Sequence, residues 1–276
     1  MKFRSLLIGV AAIFTMSSAA FSENYVRYER NGMVSWGEIV GSTIHQLDNA
    51  PYLAGKRTGN MVERSSVKLK APVDPKLSFM TAFNYRDHTL PGYEQDPTKR
   101  PGLFTVPVGS IVGPEDDLVR PEGSTNFHYE AEMVVVIGKK AENVPLENAS
   151  DYIFGVTIGN DGSERDWQAG DIQWTRAKGS NNFNPVGPEL VTGLDYTKLD
   201  IEGRLNGKKS QAANSAGMIF DMNYMVHYIS KYFTLEPGDI IWSGTMGSTG
   251  KMEPGDVYEI ELEGVGILRN KLVQGK

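Results

Sequence analysis

The sequence predicts a mixed α/β fold that is mostly β, with a small N-terminal β-rich unit ahead of a larger core. Three observations carry this. Thirty glycines and fourteen prolines in 276 residues supply many turns, which suits short strands better than a helical bundle. Short alternating or continuously apolar runs recur along the chain, whereas helical patterning stands out in two places. No internal repeat and no low-complexity tract is visible.

The first element is a leader. In MKFRSLLIGVAAIFTMSSAAFS, Lys2 and Arg4 precede an apolar run from Leu6 to Phe14 with no polar face, and Ala20-Phe21-Ser22 offers small side chains at the positions a signal peptidase inspects. This predicts a signal peptide over residues 1–22, cleaved near Ser22 and too short to persist as a bilayer anchor. The mature chain would have 276 − 22 = 254 residues, enough for one large domain with a small appendage. With no cysteine, disulfides, thiolate metal sites, a cysteine nucleophile and a lipidated cysteine are excluded, so an exported, soluble, periplasmic protein is expected. A formal net charge of −6 without a basic stripe argues against a nucleic-acid partner and leaves small molecules.

Residues 23–72 contain YVRYE, SWGEIV and STIHQL, separated by NG, GS and DNAP turn chemistry, and read as the small β-rich domain. APVDP at 71–75 is a proline-punctuated joint to the larger domain, 73–276. Leu77 to Phe83 reads as a strand leading into NYRDH at 84–88, and LPGYEQDPTKRPG after it as a loop or broken helix. Beyond residue 102, LFTVPV, EMVVVIG, IFGVTIG, PELVTG, IEGRLNG, DIIWSG and VYEIELEG read as strands. One helix is expected over 164–170 behind a capping box, Ser163-x-x-Asp166, and another over 223–231 with Tyr224, Met225, Tyr228 and Ile229 as its apolar positions. Residues 256–270 close the chain as a hairpin around ELEGVGILRN.

FHYEAEMVVVIG at 127–138 carries the first functional signal. Alternation puts His128, Glu130 and Glu132 on one face with Val134 and Val136, and Ala131, Met133, Val135 and Ile137 on the other. Two carboxylates at the mouth of a buried strand repel each other and lose hydration unless a cation sits between them, and magnesium or manganese takes such oxygen ligands. A strand entrance facing water is the plainer alternative for this pair alone. Asp161, in the turn after IFGVTIG, offers a third carboxylate, or serves only as a turn or cap residue.

Six ordered segments then point to a family: NYRDH, YEAEMVVVIGK, GVTIGNDGSERDWQ, AKGSNNFNPVGPELVT, the stretch from MIFDMNYM to WSGT, and MEPGDVYEIELEGVGILRN. Together the chain resembles the fumarylacetoacetate hydrolase (fumarylacetoacetase) family over nearly all of its mature length, in the branch of acylpyruvases and 2-hydroxyhepta-2,4-diene-1,7-dioate isomerases with an N-terminal β-rich unit. The resemblance implies a mixed β-roll core, a homodimer, and a Mg2+ or Mn2+ ion on Glu130, Glu132 and Asp161. In the family such an ion chelates a 2-oxo acid and stabilises a departing enolate, which serves hydrolysis, decarboxylation and isomerisation alike.

The same resemblance assigns roles around the metal. His88 matches a lid histidine that pairs with a glutamate three residues later to activate water, but position 91 is proline, and Glu94 is the nearest substitute. Lys178 matches the active-site lysine; a surface lysine is the alternative. Arg165 is read as holding a carboxylate of the substrate or of a neighbouring ligand, with a helix-surface pair to Asp161 or Asp166 as the alternative. Tyr85 and Thr245 fall on the substrate side. Val106 stands where the family usually has a lysine for the acid end of the substrate, and Met246 where proline is common. The expectation is an exported metal-dependent hydrolase cleaving a C–C bond in an acylpyruvate or related β-diketo acid. A decarboxylase or isomerase on the same site is the nearest rival, and an exported ligand-binding protein without turnover is the rival from another class.

Overall fold

Asn31-Gly32 shows how local chemistry starts the fold. Both residues have positive φ, 53° and 77°, and they close a two-residue hairpin between β1 (Asn24–Arg30) and β2 (Met33–Val40), the turn that this dipeptide favours. The computed structural model describes residues 22–88 and 100–276. The leader up to Phe21 lies outside the described residues, as do Pro91 and Glu94.

The meander continues through β3 (Thr43–Leu47) and β4 (Arg57–Glu63), and β5 (Lys68–Lys70) returns to pair with β1. Val26, Tyr28 and Ile44 make a small core of their own. The unit is nevertheless continuous with the larger part of the chain, because β1 also pairs with a core strand through Asn24↔Val191 and Tyr25↔Leu190. Glu189 clamps the junction, accepting from Asn24 at 2.6 Å and pairing with Arg64 at 2.6 Å.

The larger part runs β6 (Ser78–Ala82), β7 (Gly102–Thr105), β8 (Ile111–Val112), β9 (Leu118–Arg120), β10 (Phe127–His128), β11 (Ala131–Ile137), β12 (Ile153–Asn160) and β13 (Ser163–Glu164). Helices α1 (Arg165–Gly170) and α2 (Thr175–Gly179) lead to β14 (Asn184–Val191), β15 (Asp200–Leu205) and β16 (Lys208–Asn214). Helix α3 (Met222–Ser230) and strands β17 (Ile240–Trp242), β18 (Val257–Leu262) and β19 (Gly266–Gln274) complete it. One twelve-stranded sheet has the order β4-β3-β2-β1-β14-β12-β11-β17-β6-β7, with β5 and β8 branching from it, and β16-β15-β18-β19-β9 forms a second sheet. The β6/β17, β8/β14 and β9/β19 pairs are parallel, so the expected mixed β-roll is what the chain adopts. Among the described residues no helix is long and apolar enough to cross a membrane.

Strand β11 is buried along its whole length between β12 and β17. Met133, Val135 and Ile137 enter the main core with Met222, Met225, Val226 and Ile229 of α3; Val134 and Val136 pack on the other side with Met80 and Trp242. The alternation expected of the strand therefore holds, and Glu132 shares the face of Val134 and Val136.

Two local expectations need correcting, and one helix was not expected. Ser163 is a strand residue whose hydroxyl donates to the Asp161 carbonyl; the N-cap of α1 is Glu164, whose carboxylate accepts from the Asp166 amide. Helix α3 begins one residue earlier than expected because Asp221 caps it through the Tyr224 amide at 2.7 Å. Helix α2 carries no apolar period that would announce it, being five residues long.

Gly159 lies opposite Glu132 in the β11/β12 pair, and a Cβ there would come within 2.1 Å of the Trp242 ring. Gly159→Ala is expected to lower the unfolding free energy by about 1–3 kcal/mol through overpacking, read as a lower urea midpoint; an unchanged midpoint would show that Trp242 can move aside.

Candidate metal centre

The pairing of β11 with β12 assembles the site. Ala131 faces Asn160, so the residue before β11, the second residue of β11 and the residue after β12 meet at one end of the sheet. These are Glu130, Glu132 and Asp161. One ligand atom from each lies within 4.8 Å of the others, and the residues are 3%, 1% and 2% exposed. The backbone holds them: the Asp161 amide donates to the Glu130 carbonyl at 3.0 Å, and the Asn160 side chain accepts from the Glu130 amide at 2.8 Å. The turn after Asp161 is tight enough that a Cβ on Gly162 would strike the Phe183 carbonyl at 2.4 Å.

Two cations face the three acids. Lys178, 3% exposed on α2, donates to Glu130 Oε2 at 2.6 Å and to Asp161 Oδ2 at 2.7 Å. Arg165, the first residue of α1, donates through Nη2 to Glu130 Oε1 at 2.5 Å. Among the described residues Glu132 receives an uncharged donor, the Gly244 amide at 2.8 Å, and Gly244 adopts a positive φ of 79° to present it. Burial pushes all three carboxyls upward. For Glu130 the charges of Lys178 and Arg165 overcome burial and hold it below the usual range. For Asp161 burial and the Glu130 charge outweigh Lys178 and raise it to about 7, and for Glu132 burial with both neighbouring acids raises it strongly.

Among the described residues three carboxyls face two cations, so with all three ionised the site is one positive charge short, which a divalent ion would reverse. The donor set is all oxygen and fits a hard cation of the magnesium, calcium or manganese class. Beside it is a cavity of 20 Å3, room for about one water molecule, lined in part by His88, Glu130, Asp161 and Lys178. Phe83, Phe104 and Trp174 form its aromatic wall, with edge-to-face contacts at 6.2 Å and 5.1 Å between ring centres.

His88 reaches the cavity with its orientation set. Nδ1 lies 2.7 Å from the Gly247 carbonyl, an acceptor only, so Nδ1 carries the proton and Nε2 is the nitrogen turned toward Glu130 Oε1, 3.6 Å away. The ring also stacks on Phe83 at 6.1 Å. The expected carboxylate partner Glu94 lies outside the described residues.

The remaining expected residues divide. Arg165 holds a ligand carboxylate, Glu130, instead of Asp161 or Asp166. Thr245 lines the cavity, but its hydroxyl donates to the Ala131 carbonyl at 2.9 Å and accepts from Gln211 at 2.9 Å, serving the frame. Tyr85 lies in the main core, bridged to Met218, where burial and the Glu132 charge push its phenol up; it is not on the cavity wall. Val106 is buried beside Gly179 of α2 and does not line the cavity.

Two supporting residues have no role that the sequence alone assigns. Gln211 on β16 uses its whole amide: Oε1 accepts from the Ala131 amide and the Tyr258 hydroxyl, and Nε2 donates to Thr245 and the Met246 carbonyl. Asn84 ties the NYRDH turn to Phe220 and Ser243. Nothing marks Gln211 in sequence, since all its partners are distant; Asn84 stands first in the NYRDH motif, which is the signal that could have found it. His128 bonds Thr249 and Asn126 at 2.9 Å each, and burial together with the Arg165 charge pushes its pKa down to about 4.

With this geometry established, comparison with known proteins places the chain. The model described as fumarylacetoacetate (FAA) hydrolase C-terminal matches residues 78–273, and the one described as Rv2993c-like, N-terminal matches 24–72. The chain belongs to the fumarylacetoacetate hydrolase family. It is similar to Protein Rv2993c of Mycobacterium tuberculosis, 37% identical over 86% of this chain and 91% of that one. It is also similar to the oxaloacetate tautomerase fahd2, mitochondrial, of Xenopus laevis, 36% identical over 78% of this chain and 71% of that one. Among solved structures, 2-hydroxyhepta-2,4-diene-1,7-dioate isomerase from Mycobacterium marinum superposes with a TM-score of 0.84 at 34% identity, covering 92% of this chain and all of that one.

The raised carboxyls have a measurable consequence. An acid whose folded pKa, about 7 for Asp161, exceeds its ordinary 3.8 stabilises the fold while protonated. That contribution is full below pH 3.8 and is lost as pH rises through 7. Chelator-treated protein is therefore expected to fall progressively in melting temperature relative to manganese-saturated protein between about pH 4.5 and 7.5. A gap that does not change across that interval would contradict the raised carboxyls.

Proposed function

We propose that the protein is a divalent-metal-dependent enzyme that moves a proton within a 2-oxo acid, as a keto–enol tautomerase or isomerase. The observation that carries this reading is His88, anchored through Nδ1 on the Gly247 carbonyl with Nε2 turned to the cavity beside Glu130. One ring nitrogen so placed suffices to take a proton from carbon and deliver it to oxygen. Hydrolysis asks more, because an activated water is best served by an imidazole with a carboxylate behind it, and the described partner here is an uncharged carbonyl. The tautomerase and isomerase relatives support the same choice.

Magnesium or manganese on Glu130, Glu132 and Asp161 would supply Lewis acidity toward the oxygens of the bound acid. The chain itself does the rest. Lys178 uses two of its N–H bonds on Glu130 and Asp161 and has a third for the substrate oxygen where negative charge develops. His88 carries the proton, and the aromatic wall of Phe83, Phe104 and Trp174 limits bulk water around it. With the leader expected over residues 1–22, the enzyme would act outside the cytoplasm.

C–C hydrolysis of an acylpyruvate is the second reading, favoured by the family match over residues 78–273. Oxaloacetate and acetylpyruvate separate the two. A tautomerase relaxes the enol absorbance of oxaloacetate faster than buffer without forming pyruvate or carbon dioxide, whereas a hydrolase converts acetylpyruvate to pyruvate and acetate. Asp161→Ala or chelator is expected to cut the rate about a thousandfold, the loss of about 4 kcal/mol of transition-state stabilisation. Pyruvate from acetylpyruvate at the faster rate would overturn the first reading in favour of the second. Manganese binding with neither substrate consumed would leave a ligand-binding protein.

A further inference from the structure

We infer that His128 and Thr249 form a positioning arm for the metal centre, holding Arg165 on Glu130 through a continuous chain of hydrogen bonds. The inference rests on the metal-binding reading and concerns residues that never touch the ion.

The chain has an acceptor at one end and a donor at the other. The Asp166 carboxylate accepts from Asn126 Nδ2 at 3.1 Å, which turns the Asn126 carbonyl oxygen toward His128 Nε2, 2.9 Å away. Nε2 must then donate, and Nδ1 lies 2.9 Å from Thr249 Oγ1. A guanidinium only donates, so Thr249 Oγ1 accepts from Arg165 and is shared between the two side chains. Arg165 Nη2 has two hydrogens: one goes to Thr249 Oγ1 at 2.8 Å and the other to Glu130 Oε1 at 2.5 Å. Nη1 is held by Gln168 at 2.7 Å, while Nε is buried with no partner, so the guanidinium is steered from its tips alone.

Thr249 is brought to His128 by the backbone: His128 bridges Lys251, and the Met252 amide donates to the Phe127 carbonyl at 2.8 Å. The pairing survives loss of either side chain, so the arm can be cut without undoing the fold. Removing an outer partner of a metal ligand typically weakens metal binding by about 10- to 100-fold.

The test is manganese affinity, read from free Mn2+ by electron paramagnetic resonance on the full mature chain and on T249V, T249S, H128F and the T249V/H128F double variant. T249V and H128F act through Arg165 and are expected to weaken binding by up to about tenfold, well outside the error of the measurement, T249S to stay close to the parent, and the double variant to be no worse than the weaker-binding single one, because a chain is broken only once. Nitrogen-15 NMR of the parent is expected to show a proton on Nε2 of His128. Parent-like affinity in T249V, equal loss in T249S and T249V, additive losses, or an Nε2 without a proton would each overturn the arm while leaving the metal site standing. A parent that binds no manganese would overturn both.

Discussion

The antiparallel pairing of β11 with β12 is the constraint on which the centre depends. Its register places Ala131 opposite Asn160, and no other register brings Glu130, Glu132 and Asp161 to one point. A slip by one residue would turn Glu132 into the main core and swing its valines out of theirs. Gly159 secures the register by admitting the Trp242 ring where any side chain would collide.

Burying three acids together is costly, and the fold meets the cost unevenly. Glu130 has both oxygens on cations, Lys178 and Arg165; Asp161 shares Lys178; Glu132 has the Gly244 amide. Such an arrangement is poor as a purely structural cluster, because a hydrophobic replacement would be at least as stable. It is coherent as a cradle whose missing charge arrives with an ion. The two helices that deliver Arg165 and Lys178 are short and weak on their own, and their place is set by packing and by the ion pairs themselves.

Around the cradle, uncharged groups supply orientation. Gln211 ties the second sheet to Ala131 and the Thr245 turn, so the two sheets meet at the backbone between two ligands. Gly247 fixes the face that His88 shows the cavity, and Asn84 fixes the turn from which His88 projects. Each candidate ligand, and His88 beside them, is thus aimed by a group drawn from a distant part of the chain, as a preorganised site requires.

Much of this was legible in the residues alone. The alternation in EMVVVIG determined which faces of β11 are buried, the acidic pair at its mouth required a cation or water, and the NG turn determined the first hairpin. Ordered segments from NYRDH to the last hairpin sufficed for the family. These are local properties, set by side-chain period and turn chemistry. What only the tertiary structure decided is which groups face each other across more than a hundred residues of chain or between sheets: Gly244 with Glu132, Gly247 with His88, Gln211 with Ala131. It also decided that Arg165 serves Glu130 and that Thr245 and Tyr85 serve the frame. Periodicity says nothing about such partners, because a hydrogen bond between strands depends on register, turn geometry and packing depth, none of which is a property of one segment.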